Sequence, residues 1–252
     1  MTTRRQRILI TGASSGLGAE MARQFAAAGH DLALCARRID RLAELRAEIL
    51  AAYPDRTVVV RNLDVNDHDD VFIVFRALAA ELGGLDRVVV NAGLGKGAPV
   101  GTGRFDVNKE TLTTNLVSAL AQCEAAMEIF RAAGDGHLVV VSSMSAMRGL
   151  PKSLTAYAAS KAGIASIAEG IRAEMIGRTI TVTTLYPGYI QSEMNDQVAQ
   201  ATPLMANTVD GVRAMVHAID REVAEAAVPP WPWRPLSVVM KHAPLRFIRK
   251  FA

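Results

Sequence analysis

The sequence predicts an α/β fold, in which one doubly wound parallel sheet is covered by helices on both faces. Strand and helix patterns alternate along most of the 252 residues, and each predicted strand is an apolar run without polar alternation. Hydrophobic residues make up 50% of the chain, which is enough for a core on each side of a sheet. A chain of this length fits a single domain, and we expect a Rossmann-type architecture.

The predicted elements follow one another along the chain. Strands are predicted at residues 7–11, 32–36, 58–60, 88–90, 138–141 and 180–185. Helices are predicted at residues 19–28, 39–52, 67–82, 108–132, about 157–175 and 209–223. Gly29 ends the first helix, and the second has apolar residues at helical spacing. Residues 191–207 lack clear periodicity, and no final strand is predicted.

Composition and charge exclude several classes of protein. The net charge of +3, from 28 basic and 25 acidic residues, is too balanced for a nucleic-acid binder. Cys35 and Cys123 are too few for a disulfide framework, and the five histidines include no pair at metal-ligand spacing. Because neither a signal peptide nor an apolar run of about 18 residues is present, we expect a reduced, cytoplasmic protein without a metal.

Tyr157 and Lys161 stand four residues apart at the start of a predicted helix. Residues at this spacing share a helix face, so the phenol and the ammonium point into the same space. A positive charge near a phenol favours the phenolate and lowers a pKa that is otherwise about 10. The alternative is an ordinary solvated helix face. Ser142 and Ser143, which end an apolar strand upstream, favour chemistry.

A glycine-rich turn lies between the first strand and the first helix. Gly12, Gly16 and Gly18 permit a tight turn and let the backbone approach a pyrophosphate at the helix N-terminus. The spacing is G-x-x-x-G-x-G rather than G-x-G-x-x-G. The turn therefore predicts dinucleotide binding, and the alternative is a glycine-rich turn without a ligand.

These motifs together resemble those of the short-chain dehydrogenase/reductase family, in family order over roughly residues 5–192. The matching segments are residues 11–18 (TGASSGLG), Asn91-Ala92-Gly93, Asn115, Ser142-Ser143, Tyr157 with Lys161, and Pro187-Gly188. The resemblance implies that Tyr157 is the general acid in carbonyl reduction, or the base in alcohol oxidation. Lys161 would lower the Tyr157 pKa and bind the nicotinamide ribose. Asn115 would interrupt its helix locally and hold a water beside Lys161.

The serine that orients the substrate carbonyl departs from the family spacing. Family members place it about 13 residues before the tyrosine, and that position here is Met144. We assign Ser143, the second residue of the strand-ending pair, and infer a one-residue insertion in the loop that follows. Ser145 is the alternative, and Ser142 is expected to be structural.

Cofactor choice is read at the end of the second strand, where an acidic residue would bind a ribose 2′-hydroxyl. Arg37 and Arg38 stand there instead, and guanidinium groups pair with a 2′-phosphate. We therefore predict NADP(H), with Arg37 as the principal contact, Arg38 as a second contact and Ser14 as a helper. The alternative is two solvated arginines that open a surface helix.

The remaining cofactor contacts are implied by the family resemblance. They are Ser15, Leu17, Asp64, Val65, Asn91, Ala92, Gly93, Pro187, Gly188, Ile190 and Ser192, with Tyr157 and Lys161 at the nicotinamide end. Asp64 would accept a hydrogen bond from the adenine amine, and Asn91 is expected to be mainly structural.

The expected function is NADP(H)-dependent hydride transfer between nicotinamide and a carbonyl or secondary alcohol. An apolar pocket wall is expected from Met144, Met147, Leu150, Tyr189, Met194 and Leu204, and it favours a hydrophobic small molecule. The rival interpretation is a non-catalytic NADP(H)-binding protein that acts as a redox sensor or regulator. The resemblance also implies a homodimer or homotetramer.

The catalytic domain is predicted at residues 1–228, with a substrate lid at about 191–208, and a Pro/Trp-rich tail at residues 229–252. Its basic, amphipathic end is typical of peripheral membrane contact. We prefer the alternative, in which the tail packs on a neighbouring subunit or closes the substrate cleft.

Overall fold

The computed structural model describes residues 6–191 and 204–248, and these form one sheet of seven parallel strands. The strands are β1 (Arg7–Thr11), β2 (Asp31–Ala36), β3 (Val58–Asn62), β4 (Arg87–Val90), β5 (Gly136–Val141), β6 (Ile180–Pro187) and β7 (Glu225–Val228). Their order across the sheet is β3-β2-β1-β4-β5-β6-β7, so the winding reverses between β1 and β4. In sheets of this kind a crevice opens at that point, beyond the carboxyl ends of the strands.

Helices cover both faces of the sheet. They are α1 (Gly16–Ala27), α2 (Ile39–Ala52), α3 (His68–Leu82), α4 (Phe105–Leu112), α5 (Ser118–Ala133), α6 (Leu154–Glu174), α7 (Thr208–Asp220), α8 (Pro230–His242) and α9 (Leu245–Ile248). A 3₁₀ turn, Met144–Met147, follows β5. The predicted Rossmann-type parallel α/β fold is confirmed.

Two apolar layers hold the helices against the sheet. One layer contains Phe25 and Met215, and the other contains Phe75 and Phe130. All four side chains are fully buried. Because strand side chains alternate between the faces, the strands β1 to β6 contribute to both layers, which explains why they are continuous apolar runs.

A seventh strand completes the sheet. The prediction that the chain has no final strand is therefore wrong. β7 pairs in parallel with β6, from Thr184 opposite Glu225 to Pro187 opposite Val228. The sequence of β7 is EAAV, and only Val228 is fully buried. A strand this short has little pattern of its own, so its pairing with β6 decides its structure.

The helix predicted at residues 108–132 is two helices. A π-helical turn, Thr113–Val117, separates α4 from α5, and Asn115 lies inside it. The Asn115 side chain is 1% exposed and is held by the backbone of Leu94, as described below. The helix is therefore interrupted at Asn115, as expected, and a π-helical turn is a common form of such interruptions at functional sites.

Arg87 is buried at the end of the sheet opposite the crevice. Its Nε donates to His137 Nδ1 at 2.9 Å, and its Nη1 donates to Asp220 Oδ1 at 2.8 Å. The guanidinium also lies 5.7 Å from the centre of the Phe25 ring. This network joins β4, β5, α1 and α7 through one buried charge.

The C-terminal segment folds back on the same chain. Trp233 in α8 is 4% exposed, and Ile248 in α9 packs against Leu150 and Ala158. Arg148 Nη1 donates to the Lys241 carbonyl at 2.6 Å. Since Arg148 and Leu150 directly follow the 3₁₀ turn, the segment packs on the connection between β5 and α6.

Candidate active site

A crevice of about 450 Å³ opens beyond the carboxyl ends of the central strands. Most of the predicted site residues line it: Gly12, Ser14, Ser15, Gly16, Leu17, Arg37, Arg38, Asp64, Val65, Asn91, Ala92, Gly93, Ser143, Tyr157, Lys161, Pro187, Gly188 and Ile190. Gly18 and Asn115 support it from behind, and Ser192 lies outside the described residues. The structure therefore brings together residues that are up to 178 positions apart, from Gly12 to Ile190.

The glycine turn brings the backbone close to the floor of the crevice. Gly12 has a φ of +64°, and a Cβ on it would lie 2.9 Å from Ala92 Cα. A Cβ on Gly18 would lie 2.5 Å from the Gly12 carbonyl oxygen. Side chains are thus excluded at both positions. Gly18 acts by allowing α1 to approach the turn, and α1 begins at Gly16 with its amino end at the crevice.

Asn91 ties the ends of β1 and β4 together. Its Nδ2 donates to the Thr11 carbonyl at 2.9 Å, and its backbone N–H donates to Thr11 Oγ1 at 3.0 Å. The Ala92 N–H donates to the same hydroxyl at 3.1 Å. These bonds support the expectation that Asn91 is mainly structural, although its side chain borders the crevice.

Two arginines follow β2 at the mouth of the crevice. Arg37 and Arg38 are both exposed. Arg38 Nε donates to Ser14 Oγ at 3.3 Å, and Arg38 Nη2 donates to Ser15 Oγ. The Arg37 carbonyl accepts from Asn62 Nδ2 at 2.7 Å. Arg38, ranked second from sequence, is therefore the arginine that contacts the glycine turn.

The sequence analysis missed Asn66, which lines the crevice beside Asp64 and Val65. The Asn66 N–H donates to Asp64 Oδ1 at 3.0 Å. Its Oδ1 accepts hydrogen bonds from Thr114 Oγ1 at 3.1 Å and Ser118 Oγ at 2.8 Å. These bonds link the turn after β3 to the π-helical turn. The available signal was the position of Asn66 in the short turn after Asp64.

Tyr157 and Ser143 form the polar centre of the crevice. The Tyr157 phenol lies beside the Ser143 side chain, and both residues line the crevice. Burial raises the Tyr157 pKa above its ordinary value, the contact with Ser143 opposes that rise, and nearby Tyr189 adds to it. Desolvation outweighs the contact with Ser143 in this shift, and the expected lowering of the Tyr157 pKa by Lys161 stays a prediction. Tyr157 is thus a protonated phenol, which suits a proton donor.

Lys161 reaches the same region from one helical turn further along α6. Its side chain is 6% exposed, and Nζ donates to the Val141 carbonyl at 2.9 Å. Burial lowers the Lys161 pKa to about 8. A Cβ on Gly93 would lie 3.5 Å from Nζ, so the glycine leaves the space beside the ammonium open.

Asn115 holds the loop that flanks this space. Its Oδ1 accepts from the Leu94 N–H at 2.7 Å, and its Nδ2 donates to the Leu94 carbonyl at 2.8 Å. Nδ2 also lies 3.3 Å from Ser160 Oγ. The amide is therefore used mainly to fix Leu94, which lines the crevice next to Gly93.

The structure distinguishes the three candidate serines. Ser142 and Ser143 line the crevice and Ser145 does not; the Ser145 backbone N–H donates to Ser143 Oγ at 3.1 Å. Ser142 Oγ donates to the Lys161 carbonyl at 2.8 Å, which agrees with a structural role. Ser143 is thus the serine that lies beside Tyr157 in the crevice.

The turn after β6 is supported by Trp233, which was predicted only as part of the C-terminal tail. A Cβ on Gly188 would lie 2.0 Å from Trp233 Cε2, so the indole packs directly on this glycine. Trp233 also meets the Tyr189 ring edge to face, with the centroids 5.6 Å apart. The Gly188 N–H donates to the Val228 carbonyl at 2.9 Å. Helix α8 therefore supports the turn formed by Pro187 and Gly188.

Some residues that were expected to line an apolar substrate pocket are instead buried in the protein. Met144 is 4% exposed, and Leu150 lies beneath Ile248. Met194 lies outside the described residues. Residues Leu94 and Ile190 form apolar parts of the crevice wall.

The burial of Lys161 predicts a measurable cost to the cofactor-free protein. We expect Lys161→Met to raise its stability at pH 7 by on the order of 1 kcal/mol, because a desolvated ammonium is removed. The Lys161 pKa falls on folding from about 10.5 to about 8. Below pH 8 the charge is present in both states and its full penalty acts on the folded protein. As the pH rises from 8 to 10.5, the unfolded chain binds more protons, and the penalty disappears.

Urea unfolding of the unaltered protein and of Lys161→Met, at pH 7 and at pH 10, measures the cost of burying the Lys161 ammonium. The advantage of the variant should shrink at pH 10, and the exposed Lys152→Met change should show no such pH dependence. An equal or lower stability of Lys161→Met at pH 7 would contradict the prediction.

Comparison with known proteins agrees with this geometry. The family model described as short chain dehydrogenase matches residues 6–203. An uncharacterized oxidoreductase of Mycobacterium tuberculosis is 56% identical over 248 residues, which cover 98% of each chain. An uncharacterized oxidoreductase of Myxococcus xanthus is 37% identical over 221 residues, covering 88% of this chain and 86% of that relative.

A solved structure has the same fold over nearly the whole chain. The short-chain dehydrogenase/reductase of Burkholderia phymatum, in complex with NAD, superposes with a TM-score of 0.84 at 19% identity and covers 99% of this chain and 97% of its own. At that identity the likeness speaks for the fold alone. The order of the motifs, the crevice that the motif residues line and the matched length agree. The chain therefore belongs to the short-chain dehydrogenase/reductase family of oxidoreductases.

Proposed function

We propose that the protein is an NADP(H)-dependent oxidoreductase that transfers a hydride between nicotinamide and a carbonyl or secondary alcohol. The observation that carries this proposal is that Tyr157, Ser143 and Lys161 line the same crevice as the glycine turn. A proton donor and a dinucleotide-binding turn share one cavity. That arrangement is what a carbonyl reductase requires.

The residues present fit a nicotinamide dinucleotide. Gly12 and Gly18 leave no room for side chains where the backbone would approach a pyrophosphate, and Gly93 keeps the space beside Lys161 open. Asp64 and Val65 line the part of the crevice after β3, where an adenine would lie. When bound, the cofactor supplies or accepts the hydride.

The side chains of this protein account for the proton. In the reducing direction, Tyr157 donates its hydroxyl proton to the carbonyl oxygen that becomes the alcohol, and Ser143 holds that oxygen by a hydrogen bond. Lys161, held by the Val141 carbonyl, places a positive charge where the tyrosinate forms. In the oxidising direction the tyrosinate takes the alcohol proton, so oxidation is favoured as the pH rises.

The choice of NADP(H) is supported by the two arginines after β2. The side chain of Arg38 is placed at the glycine turn by Ser14 and Ser15, and no carboxylate occurs among residues 32–38. Two guanidinium groups at this position favour a 2′-phosphate over a 2′-hydroxyl. An apolar substrate is supported by Leu94 and Ile190 in the crevice wall.

The test is oxidation of NADPH and NADH with a panel of hydrophobic ketones and aldehydes. We expect a higher kcat/KM with NADPH, and we expect Arg38→Asp and Arg37→Asp to reduce the preference by about 10- to 100-fold, the value of one charge-assisted hydrogen bond. Arg41→Asp is the matched control, since Arg41 is exposed on α2 and pairs with Glu44 at 3.8 Å. A preference for NADH in the unaltered protein would contradict the choice of NADP(H).

The same assay separates an enzyme from a non-catalytic NADP(H)-binding protein. A binding protein would retain NADPH affinity and turn over no member of the panel.

We also propose a homo-oligomer in which α4, α5 and α6 meet a second copy. The exposed apolar residues Phe105, Val117 and Leu120 support that face.

A further inference from the structure

The face of helix α8 that points away from the protein is apolar and basic. Trp233, Leu236 and Met240 lie on one side of the helix, and Trp233 and Met240 pack on the domain. The opposite side carries Val238 and Val239, which are 59% and 58% exposed. Exposed Arg234, Lys241 and His242 share that side, since residues three and four apart lie on one helix face.

The short helix α9 extends this surface. Leu245 is 64% exposed and Phe247 is 47% exposed, while Ile248 is buried beneath them. The Arg246 guanidinium lies 5.4 Å from the centre of the Phe247 ring. We define the tail face as Arg234, Val238, Val239, Lys241, His242, Leu245, Arg246 and Phe247. Trp231, 79% exposed, begins the same segment.

The charge of the chain is concentrated in this segment. Residues 228–252 contain five of the 28 Lys and Arg residues and none of the 25 Asp and Glu residues. The preceding 227 residues therefore carry 23 basic and 25 acidic side chains and are slightly negative. The net positive charge of the protein comes entirely from the C-terminal segment, which favours attraction of an anionic surface to it.

We propose that the tail face binds the surface of an anionic phospholipid bilayer. Exposed valine, leucine and phenylalanine side chains between basic groups are suited to the boundary of headgroups and acyl chains, where apolar burial and attraction to anionic lipids act together. None of the helices in residues 6–191 and 204–248 has the length and apolar character of a membrane-spanning segment.

The position of α8 gives this contact a consequence for substrate entry. The side of the helix opposite to the tail face packs on Gly188 and Tyr189 through Trp233. Arg148, next to the 3₁₀ turn after β5, is bonded to the Lys241 carbonyl. Binding of the tail face to a bilayer would therefore hold the substrate end of the crevice near the lipid, where an apolar substrate dissolves.

The experiment is co-sedimentation of the full chain with vesicles of phosphatidylcholine, alone or mixed equally with phosphatidylglycerol. The unaltered protein should bind the anionic vesicles, bind the neutral ones weakly, and be released by salt. The variant Arg234→Gln/Lys241→Gln/Arg246→Gln should lose about 100-fold in partition coefficient, since three attractive charges are removed. Val238→Ser/Val239→Ser should weaken binding while the charge is unchanged.

The matched control is Arg41→Gln/Arg178→Gln/Arg213→Gln, which removes the same charge from exposed positions elsewhere. It should stay within about threefold of the unaltered protein. The proposal is overturned if the unaltered protein does not bind anionic vesicles or if both triple variants lose binding equally. It is also overturned if light scattering shows that the tail variants dissociate an oligomer, because a second copy would then cover this face.

Discussion

Replacing Tyr157 with phenylalanine will lower kcat for carbonyl reduction by about 10²- to 10⁴-fold, the usual contribution of a general acid. The change removes the hydroxyl beside Ser143 and leaves the ring in place. NADPH affinity should change little, because the glycine turn and the arginines after β2 are untouched. Steady-state kinetics with the best ketone of the panel, together with NADPH binding followed by fluorescence, measures both quantities.

The matched control for this change is Tyr186→Phe. The Tyr186 hydroxyl lies 3.5 Å from Glu225 Oε1, and Tyr186 does not line the crevice. Its loss should leave kcat within about twofold, as expected for a hydroxyl outside the crevice. Retention of full activity in Tyr157→Phe would exclude Tyr157 as the proton donor and the mechanism proposed above with it.

Removing the carboxylate of Asp220 will cause the largest loss of stability that we predict. Asp220→Ala leaves the buried Arg87 guanidinium without its bond of 2.8 Å to that carboxylate. Breaking a buried ion pair by removing one partner costs about 3–5 kcal/mol. The Asp220 side chain is 42% exposed, so water partly replaces it and the expected loss is about 3 kcal/mol. In a chain of this size that corresponds to a fall in Tm of about 6–12 °C.

Glu128→Ala is the control for the Asp220 measurement. Glu128 pairs with Arg76 at 3.1 Å, but both side chains are more than half exposed. An exposed pair contributes about 0–1 kcal/mol, so the Tm should fall by no more than about 3 °C. Equal losses of stability in Asp220→Ala and Glu128→Ala would show that the burial of Arg87 does not determine the cost of removing its partner. Because the Arg87 network lies away from the crevice, Asp220→Ala should leave the KM for NADPH unchanged at temperatures where the protein is folded.

Several parts of the candidate site could be predicted because they depend on short spacings. The four-residue separation of Tyr157 and Lys161 places them on one face of any helix. The glycine turn indicates a phosphate-binding site wherever a strand is followed directly by a helix. The parallel sheet could also be predicted, because a strand that is buried on both faces is a continuous run of apolar residues.

Other parts could not be predicted, because they depend on contacts between distant segments. The choice of Ser143 over Ser145 follows from which hydroxyl reaches Tyr157 after β5 and α6 pack together. The strand β7 exists because β6 offers it a free edge. The direction of the Tyr157 pKa shift depends on how much water the surrounding fold removes, which no spacing encodes.

The sequence by itself determined the family and the fold and predicted the reactive side chains, because local spacing and apolar periodicity express these directly. Only the tertiary structure decided that Arg38 contacts the glycine turn, that Trp233 packs on Gly188, and that the basic side of α8 faces outward. Each of these depends on the packing of segments far apart in the chain, and that packing follows from the burial of the whole core rather than from any local pattern.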